Sequence, residues 1–468
     1  MTCDIVDLRT ALAFLEEQGD SILKHEDSIS PEYEVAKHYV NNSAGVPASS
    51  ISREEQMVMY TNVVGHDMSV LMGVFGSRER NQRMLTGNAE CHHGAFMKAL
   101  GQRIPPVTVP NPPCQEIVID ADIDLLKQLP VLTLTPNDAG PYITLGFVLA
   151  KYPDSDNYNA SVHRLCIHGK DRMTISIYPG NHLGNLYQAA MERGESLPVS
   201  INIGLDPAIY YASSLTEPVC GKGESELDIV GGLRGKAVNL SDCLHVDAKC
   251  ISHAEIVLEA ELTAEQMPEN YTNPEKGSMP ELLGYQGQVA PIGVPVVKVK
   301  AITHRQNPIY QTVIGPGMEQ SELTSITPEI ATRGILMGNF DLDVRKIHYS
   351  AAGGGVLMAA LQINKQRPED DELAVKAAMA VLSTIPPLKH IFIVDTDVDP
   401  QSPDDLFWAL TTRYQADQDM HTLNTDKLFP MDPTQSQAYR SDNPGSMKAL
   451  FDCTSPYDLK DTFKRAFV

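Results

Sequence analysis

The chain has 468 residues, 42% of them apolar and 21% charged, the composition of a folded globular protein of two or three domains rather than of a disordered or fibrous one. Its 37 Lys and Arg against 60 Asp and Glu leave a net charge of -23, which excludes a polyanion such as nucleic acid held by a general basic field. The eight cysteines form no CxxC pair or zinc-ribbon spacing, the N-terminus shows no basic-then-apolar segment, and no apolar run approaches the ~20 residues of a membrane span. The expectation is a cytoplasmic protein with reduced thiols, bound neither to membrane nor to nucleic acid.

In chain order, Leu8, Leu12 and Leu15 make one helical stripe between a capping Asp7 and a terminating Gly19. Val70, Met72 and Val74 read as a strand, after which Gly76-Ser77 opens the charged helix RERNQRML, so a βα unit fits 67–86. The proline-dense stretch IPPVTVPNPPC continues neither a helix nor a central strand and closes a first region at 1–114.

From 115 to 320 strand patterns dominate: EIVID, YITLGFVLAKY, PVSINIG, EIVLEAEL, VPVVKVKAITHR, PIYQTVIG and the hairpin NASVHRLCIHGKDRMTISI. In that hairpin Val162, Arg164 and Cys166 share one face, and Gly169-Lys170-Asp171 turns the chain. A barrel-like β domain is expected, interrupted by two short helices. One has Asp206 as cap and Pro207 at its first position. The other has the S-x-x-D pattern Ser225 to Asp228 ahead of IVGGL, with Gly235 after it. Residues 321–468 alternate strand and helix as a second α/β domain, and the tail DLKDTFKRAF reads as a short amphipathic helix able to dock on its own domain or on another subunit.

Several apparent motifs fail on spacing. GGLRGK lacks the end of a phosphate loop and Gly353-Gly354-Gly355 lacks a helix to open, so both read as turns or close backbone contacts. Asp395, Asp397 and Asp399 imitate a calcium loop, but Pro400 stands where glycine is needed. The pairs His92-His93 and His163/His168 lack further ligands. Glu255, Glu259 and Glu261, at period two, read as the solvated face of a strand.

Two constellations remain. Asn159, His182 and Glu226 offer an amide oxygen, an imidazole and a carboxylate, a donor set suited to manganese or magnesium completed by phosphate and water. His182 also falls where a strand gives way to the helix carrying Leu183, Leu186, Tyr187 and Ala190, a corner whose free N–H groups favour an anion. The second constellation is Glu275 and Glu281 in NPEKGSMPELLGYQG. A loop that buries a carboxylate can keep it protonated near neutrality, although a solvated surface loop is the plainer alternative.

These residues resemble the UbiD-like family of non-oxidative decarboxylases that use prenylated FMN. The resemblance runs through Asn159 with Arg164 five residues on, His182, INIGLDPAIY, Ser225-Glu226 ahead of VGGLRG, SHAEIVLEAEL, MPELLGYQG, AITHRQNPIY, VDTDVDP and LFWALTTRYQADQD, and it covers nearly the whole chain. It implies an α+β architecture: an N-terminal α/β region, a central split β-barrel holding the flavin, and a C-terminal α/β oligomerisation domain with a terminal helix. It also implies Mn2+ (or Mg2+) on Asn159, His182 and Glu226, and K+ on backbone around Ala160, Ser213 and Leu215. Further cofactor contacts are implied at Ser161, Val162, His163, Asn181, Ser214 and Lys389. Arg164 is implied beside the reactive flavin edge, Glu281 as proton donor, and Glu275 as the arginine's partner, although Glu275 and Glu281 are one residue further apart than is usual.

The implied reaction is reversible decarboxylation of a hydroxybenzoate-type aromatic acid through a covalent adduct with prenylated FMN. A flavin prenyltransferase is the implied cofactor supplier, and a homo-oligomer the implied assembly. Asn181-His182 in place of arginine-histidine, and CGKGESELD in place of TPFGYNEL, depart from the gallate and protocatechuate branch. They keep indole-, pyrrole- and furan-carboxylates open as substrates. A flavin oxidoreductase and a non-catalytic flavin-binding protein are the rivals from other classes.

Overall fold

The computed structural model describes the chain apart from residues 1–3, 43–54, 88–91, 179, 216–218, 286–288, 427–428, 430, 436–438, 440–445 and 467–468. It forms two compact units, Met1–Leu323 and Thr324–Val468.

The first unit is built on a closed barrel of six antiparallel strands. Around the barrel they run Ile256–Met267, Leu197–Ile203, Tyr142–Lys151, Tyr158–Ile167, Arg172–Ile175 and Val294–His304, and the last pairs back onto the first with Ile256 opposite His304. Closure leaves no free edge. Tyr142–Lys151 is buried at all but its last position, as expected of a strand covered on both faces. Ile143, Val148, Leu165, Ile201, Leu258 and Val297 belong to one continuous apolar core.

Around the barrel lie a four-stranded sheet (Ile22–His25, Met57–Tyr60, Ser69–Met72, Ile309–Gln311) and a three-stranded one (Lys249–Ile251, Asn239–Asp242, Val107–Thr108). PIYQTVIG therefore leaves the barrel region: Ile309–Gln311 pairs in parallel with Ser69–Met72 of the N-terminal sheet. The predicted first helix is present as Leu8–Glu17, and Asp7 and Thr10 form a reciprocal capping box. Ser77 likewise caps Arg78–Thr86.

In the second unit three parallel strands, Met358–Ile363, His390–Asp395 and Ser446–Cys453, are flanked by antiparallel edges Val344–Tyr349 and Met420–Thr425. The 22-residue helix Met318–Asn339 escapes the sequence reading because its Ser/Thr-rich pattern carries little amphipathic period and Pro328 interrupts it. The expected terminal helix is also corrected. Tyr457–Leu459 is a 3₁₀ turn followed by irregular chain, because Arg413 donates to the Phe463 carbonyl and the Arg465 guanidinium sits 3.9 Å from the Trp408 ring centre, contacts that draw the chain out of helical register.

The discarded motifs behave as close contacts. A Cβ on Gly231 would lie 2.2 Å from the Ile104 carbonyl oxygen, and Gly354 and Gly355 occupy left-handed turn positions. Asp395 and Asp397 are both engaged by the Arg413 guanidinium.

Two glutamates overturn the reading of a solvated strand face, since Glu255 and Glu259 are both fully buried. Glu255 receives Arg9 at 2.7 and 2.8 Å, lies 3.4 Å from Arg305 and accepts the Ile309 N–H at 3.0 Å. Glu259 accepts the Leu244 and His245 N–H groups. Period two marks a shared face, but the arginines and loops covering that face come from distant sequence. Glu255→Gln is expected to lower unfolding free energy by about 3 kcal/mol, since it leaves two guanidinium groups under-compensated. Chemical denaturation of the variant against wild type measures this directly.

Candidate active site

Arg164 stands opposite a β-bulge. Ile143 pairs with Leu165 and Gly146 with His163, so Thr144 and Leu145 together face this one arginine. A bulge of this kind bends the strand and re-aims a side chain. A Cβ on Gly146 would lie 2.4 Å from Leu165 Cδ1 and 3.0 Å from the His163 carbonyl oxygen, so a larger residue there would have to displace the Leu165 side chain.

The guanidinium is 13% exposed and lies between two carboxylates. Its Nε and Nη2 donate to Glu269 Oε1 and Oε2 at 2.7 and 3.2 Å, and Nη1 lies 2.8 Å from Glu281 Oε2. Burial opposes the arginine's charge, but Glu281 and Glu269 outweigh burial and raise its pKa further. Arg164 is a permanent cation here.

Each acid is held by its own loop. The Glu269 N–H donates to Pro291 O at 2.9 Å, and the Ser278 hydroxyl donates to Glu269 Oε2. After Glu281 the chain enters the left-handed region at Leu282, with φ 43°, a conformation disfavoured for a branched side chain. The Leu282 N–H is held by Gln320 Oε1 at 2.9 Å. Gly315 allows this loop to settle, since a Cβ there would lie 2.0 Å from the Pro280 carbonyl oxygen. Tyr178, half exposed, lies close enough that Glu281 adds to the rise in its phenol pKa that burial chiefly produces.

The acid paired with Arg164 alongside Glu281 is thus Glu269, and not Glu275. Glu275 is exposed because Asn270 Nδ2 binds both the Pro274 and Lys276 carbonyls and curls 270–276 into a turn facing outward. Sequence reasoning passed over Glu269, Ser278, Gln320 and Tyr178. The available signal for Glu269 was its place just past a strand end, after Pro268.

The other constellation is built on the opposite face of the same strand. Asn159 Nδ2 donates to Ser161 Oγ at 3.1 Å, and Ser161 lies 2.9 Å from His163 Nε2. His163 Nδ1 lies 2.8 Å from the Ser176 carbonyl, which can only accept, so Nδ1 carries the proton and Nε2 receives the serine's. Burial pushes the His163 pKa down to about 4 and keeps the ring neutral. With its NH2 engaged, Asn159 has its amide oxygen left to offer. His168 is bonded to two threonine hydroxyls, so neither it nor His163 is a bare ligand. The side chains of His92 and His93 lie outside the described ones.

Glu226 and His182 open their respective helices, Glu226–Arg234 and His182–Glu192. Asn181 caps the second by accepting the Gly184 N–H at 2.7 Å. Glu226 Oε2 accepts the Ala160 N–H, placing this carboxylate beside Asn159, while Oε1 lies 4.0 Å from His182 Nδ1. Two ligands at ~2.1 Å from one divalent ion can span that separation. Burial pushes the Glu226 pKa up to about 8 against the N–H bonds it accepts, and among the described residues no lysine or arginine pairs with it. A buried carboxylate without a cationic partner, an imidazole and a free amide oxygen fit a divalent cation.

Ser213 and Ser214 donate their hydroxyls to the Tyr210 and Tyr211 carbonyls and so close the turn after the helix Pro207–Ala212. Lys389 belongs to the second unit, where Asp432 at 2.8 Å and Thr434 at 2.6 Å occupy its ammonium. It is therefore committed to an ion pair.

The profile of the 3-octaprenyl-4-hydroxybenzoate carboxy-lyase N-terminal domain matches residues 12–104, that of the Rift-related domain 106–318 and that of the C-terminal domain 323–453. Gallate decarboxylase of Lactiplantibacillus plantarum is 32% identical over 98% of this chain and 96% of its own length. The chain belongs to the UbiD family of carboxy-lyases. Among solved UbiD structures, 3,4-dihydroxybenzoic acid decarboxylase from Enterobacter cloacae superposes with a TM-score of 0.93 at 35% identity, covering 99% of this chain and 97% of that one. An evolved dimeric form of HmfF from Pelotomaculum thermopropionicum, in complex with prFMN, gives 0.84 at 28% identity with the same coverages. Among the described residues no helix is long and apolar enough to cross a membrane.

The arrangement predicts which acid aligns Arg164. Glu269→Gln should cut CO2 release by ~100-fold, the order of loss caused by a misplaced reacting group, while Glu275→Gln should stay within about two-fold. Initial rates on the flavin-loaded variants decide between the two glutamates.

Proposed function

We propose that this UbiD chain catalyses the reversible, non-oxidative decarboxylation of a hydroxybenzoate-type aromatic acid with prenylated FMN. The observation that carries the proposal is Arg164, a desolvated cation shared between Glu269 and Glu281. Asn159 and Arg164 are five residues apart on one strand, roughly 17 Å of rise, so the strand presents a phosphate-and-metal end and a reacting end. When bound, prenylated FMN supplies the electrophilic centre that takes up the electron pair left behind by CO2.

The chain's own residues do the rest. Glu226, His182 and the Asn159 amide oxygen would hold Mn2+ or Mg2+, and the N–H groups opening the His182 helix would receive the phosphate. Carbonyls of Ala160, Ser213 and Leu215 would hold K+. Arg164 binds and orients the substrate carboxylate by charge-assisted hydrogen bonds, and Glu269 fixes its plane. An incoming carboxylate competes with Glu281 for the guanidinium. Glu281, freed from Arg164, takes up a proton from solvent and gives it to the ring carbon that has lost CO2. In the carboxylation direction it removes that proton. A flavin prenyltransferase would supply the cofactor, and a homo-oligomer is the proposed assembly.

Glu281→Gln keeps the loop's shape but has no acidic proton, so turnover should fall by ~100-fold or more while substrate still binds. In D2O the wild-type product should carry deuterium at the former carboxyl carbon, and product incubated with bicarbonate should exchange there. The variant should lose turnover and exchange together, and near-wild-type values of both would remove Glu281 from the mechanism. His182→Ala or Glu226→Ala should reduce flavin co-purifying with the protein, because the phosphate would face an incomplete shell. Absorbance of the isolated variants reads this independently of catalysis, and full flavin occupancy in metal-free protein would refute the metal's part in holding the phosphate.

A further inference from the structure

Three cysteines that the proposed chemistry leaves unused meet at one point of the first unit. Cys114 lies in the 3₁₀ turn Pro113–Gln115, and Cys250 and Cys243 belong to the two arms of the hairpin that pairs Asn239–Asp242 with Lys249–Ile251. Cys250 stands opposite Ser241, two residues before Cys243 on the facing arm, so the pleat turns both thiols to the same side. The Cys114 and Cys250 sulfurs are 3.8 Å apart, and the Cys114 N–H bond to the Ser252 carbonyl at 3.2 Å fixes the turn against the hairpin. The Cys250 thiol also donates to the Ser241 carbonyl at 3.6 Å, and the Cys243 N–H donates to the Ala248 carbonyl at 2.9 Å, which carries the hairpin pairing on to Cys243. Cys114 and Cys250 are fully buried, whereas Cys243 is partly exposed beside the open hairpin tip at Leu244.

We propose that Cys114, Cys243 and Cys250 form a thiol–disulfide redox site, in which Cys243 meets the oxidant and Cys114 and Cys250 end joined. The oxidant is a hydroperoxide, for which hydrogen peroxide serves as the probe. The Cys243 sulfur attacks the peroxide O–O bond, giving a sulfenic acid and one water. Cys250 attacks that sulfur, and its proton leaves with the hydroxyl as a second water. Cys114 then attacks the Cys250 sulfur and its proton passes to the departing Cys243 thiolate. In sum two thiols lose two protons and two electrons and the peroxide becomes two waters.

The last bond requires the two sulfurs to close from 3.8 Å to ~2.05 Å, within reach of side-chain rotation. Cys114 and Cys250 are 136 residues apart, and the enclosed span contains Asn159, Arg164, His182 and Glu226. Oxidation would therefore tether the ends of the segment that carries the site.

The full-length wild-type chain, treated with a small excess of hydrogen peroxide and then alkylated under denaturing conditions, tests this by intact mass and peptide mapping. The expected result is loss of two hydrogens per chain, reversed by dithiothreitol, with a cross-linked peptide joining Cys114 to Cys250. Cys243→Ser should slow that bond's formation ~10-fold or more by removing the accessible entry thiol, and Cys250→Ser should abolish cross-linking among the three. Full alkylation of all three thiols after treatment, or sulfinic acid at Cys243 without a cross-link, would overturn the proposal. Because the decisive reading is made on wild type, a misfolded variant does not blunt it.

Discussion

A buried guanidinium must be paid for by its neighbours, and Arg164 takes two. A desolvated cation left with one partner in this wall would be costly, and the chain satisfies it with Glu269 from just beyond one barrel strand and Glu281 from the loop before the next. Two carboxylates thus share one guanidinium. The bidentate contact favours Glu269 as the acid that stays. Glu281 meets the guanidinium at Nη1.

The same strand solves two opposed problems because successive side chains point to opposite faces. On one face Asn159, Ser161 and His163 pass hydrogen bonds to a backbone carbonyl, which fixes the amide's orientation. On the other, the bulge in the neighbouring strand turns Arg164 toward the acids. A change in either neighbour would be felt at both ends, because the backbone between them is shared.

Part of the chain's acidity is buried and structural. Glu319, buried and with its pKa raised by burial and then by Glu55, accepts the Gly73 and Phe75 N–H groups, and Glu55 accepts the Met318 N–H and the Tyr39 hydroxyl. These carboxylates satisfy backbone donors where the N-terminal sheet meets the start of the Met318 helix, next to Gln320, which holds the loop after Glu281. The net charge says nothing of this, since a buried carboxylate counts the same as a solvated one.

The local chemistry was legible in the sequence: the caps at Asp7, Ser77 and Asp206, the alternating strands, the hairpin with Arg164, and the helix corners bearing His182 and Glu226. All depend on residues within a few positions of one another, where caps and periodicity act. Ordered motifs over the chain also carried the family resemblance. What only the tertiary structure decided depends on long-range closure. Glu269 rather than Glu275 meets Arg164 because Asn270 curls the intervening turn outward. Glu255 is buried because Arg9 and Arg305 cover it, Ile309–Gln311 joins a sheet begun over 200 residues earlier, and the chain end stays irregular because Arg413 and Trp408 hold it. Periodicity tells which residues share a face; only the folded neighbours determine what that face meets.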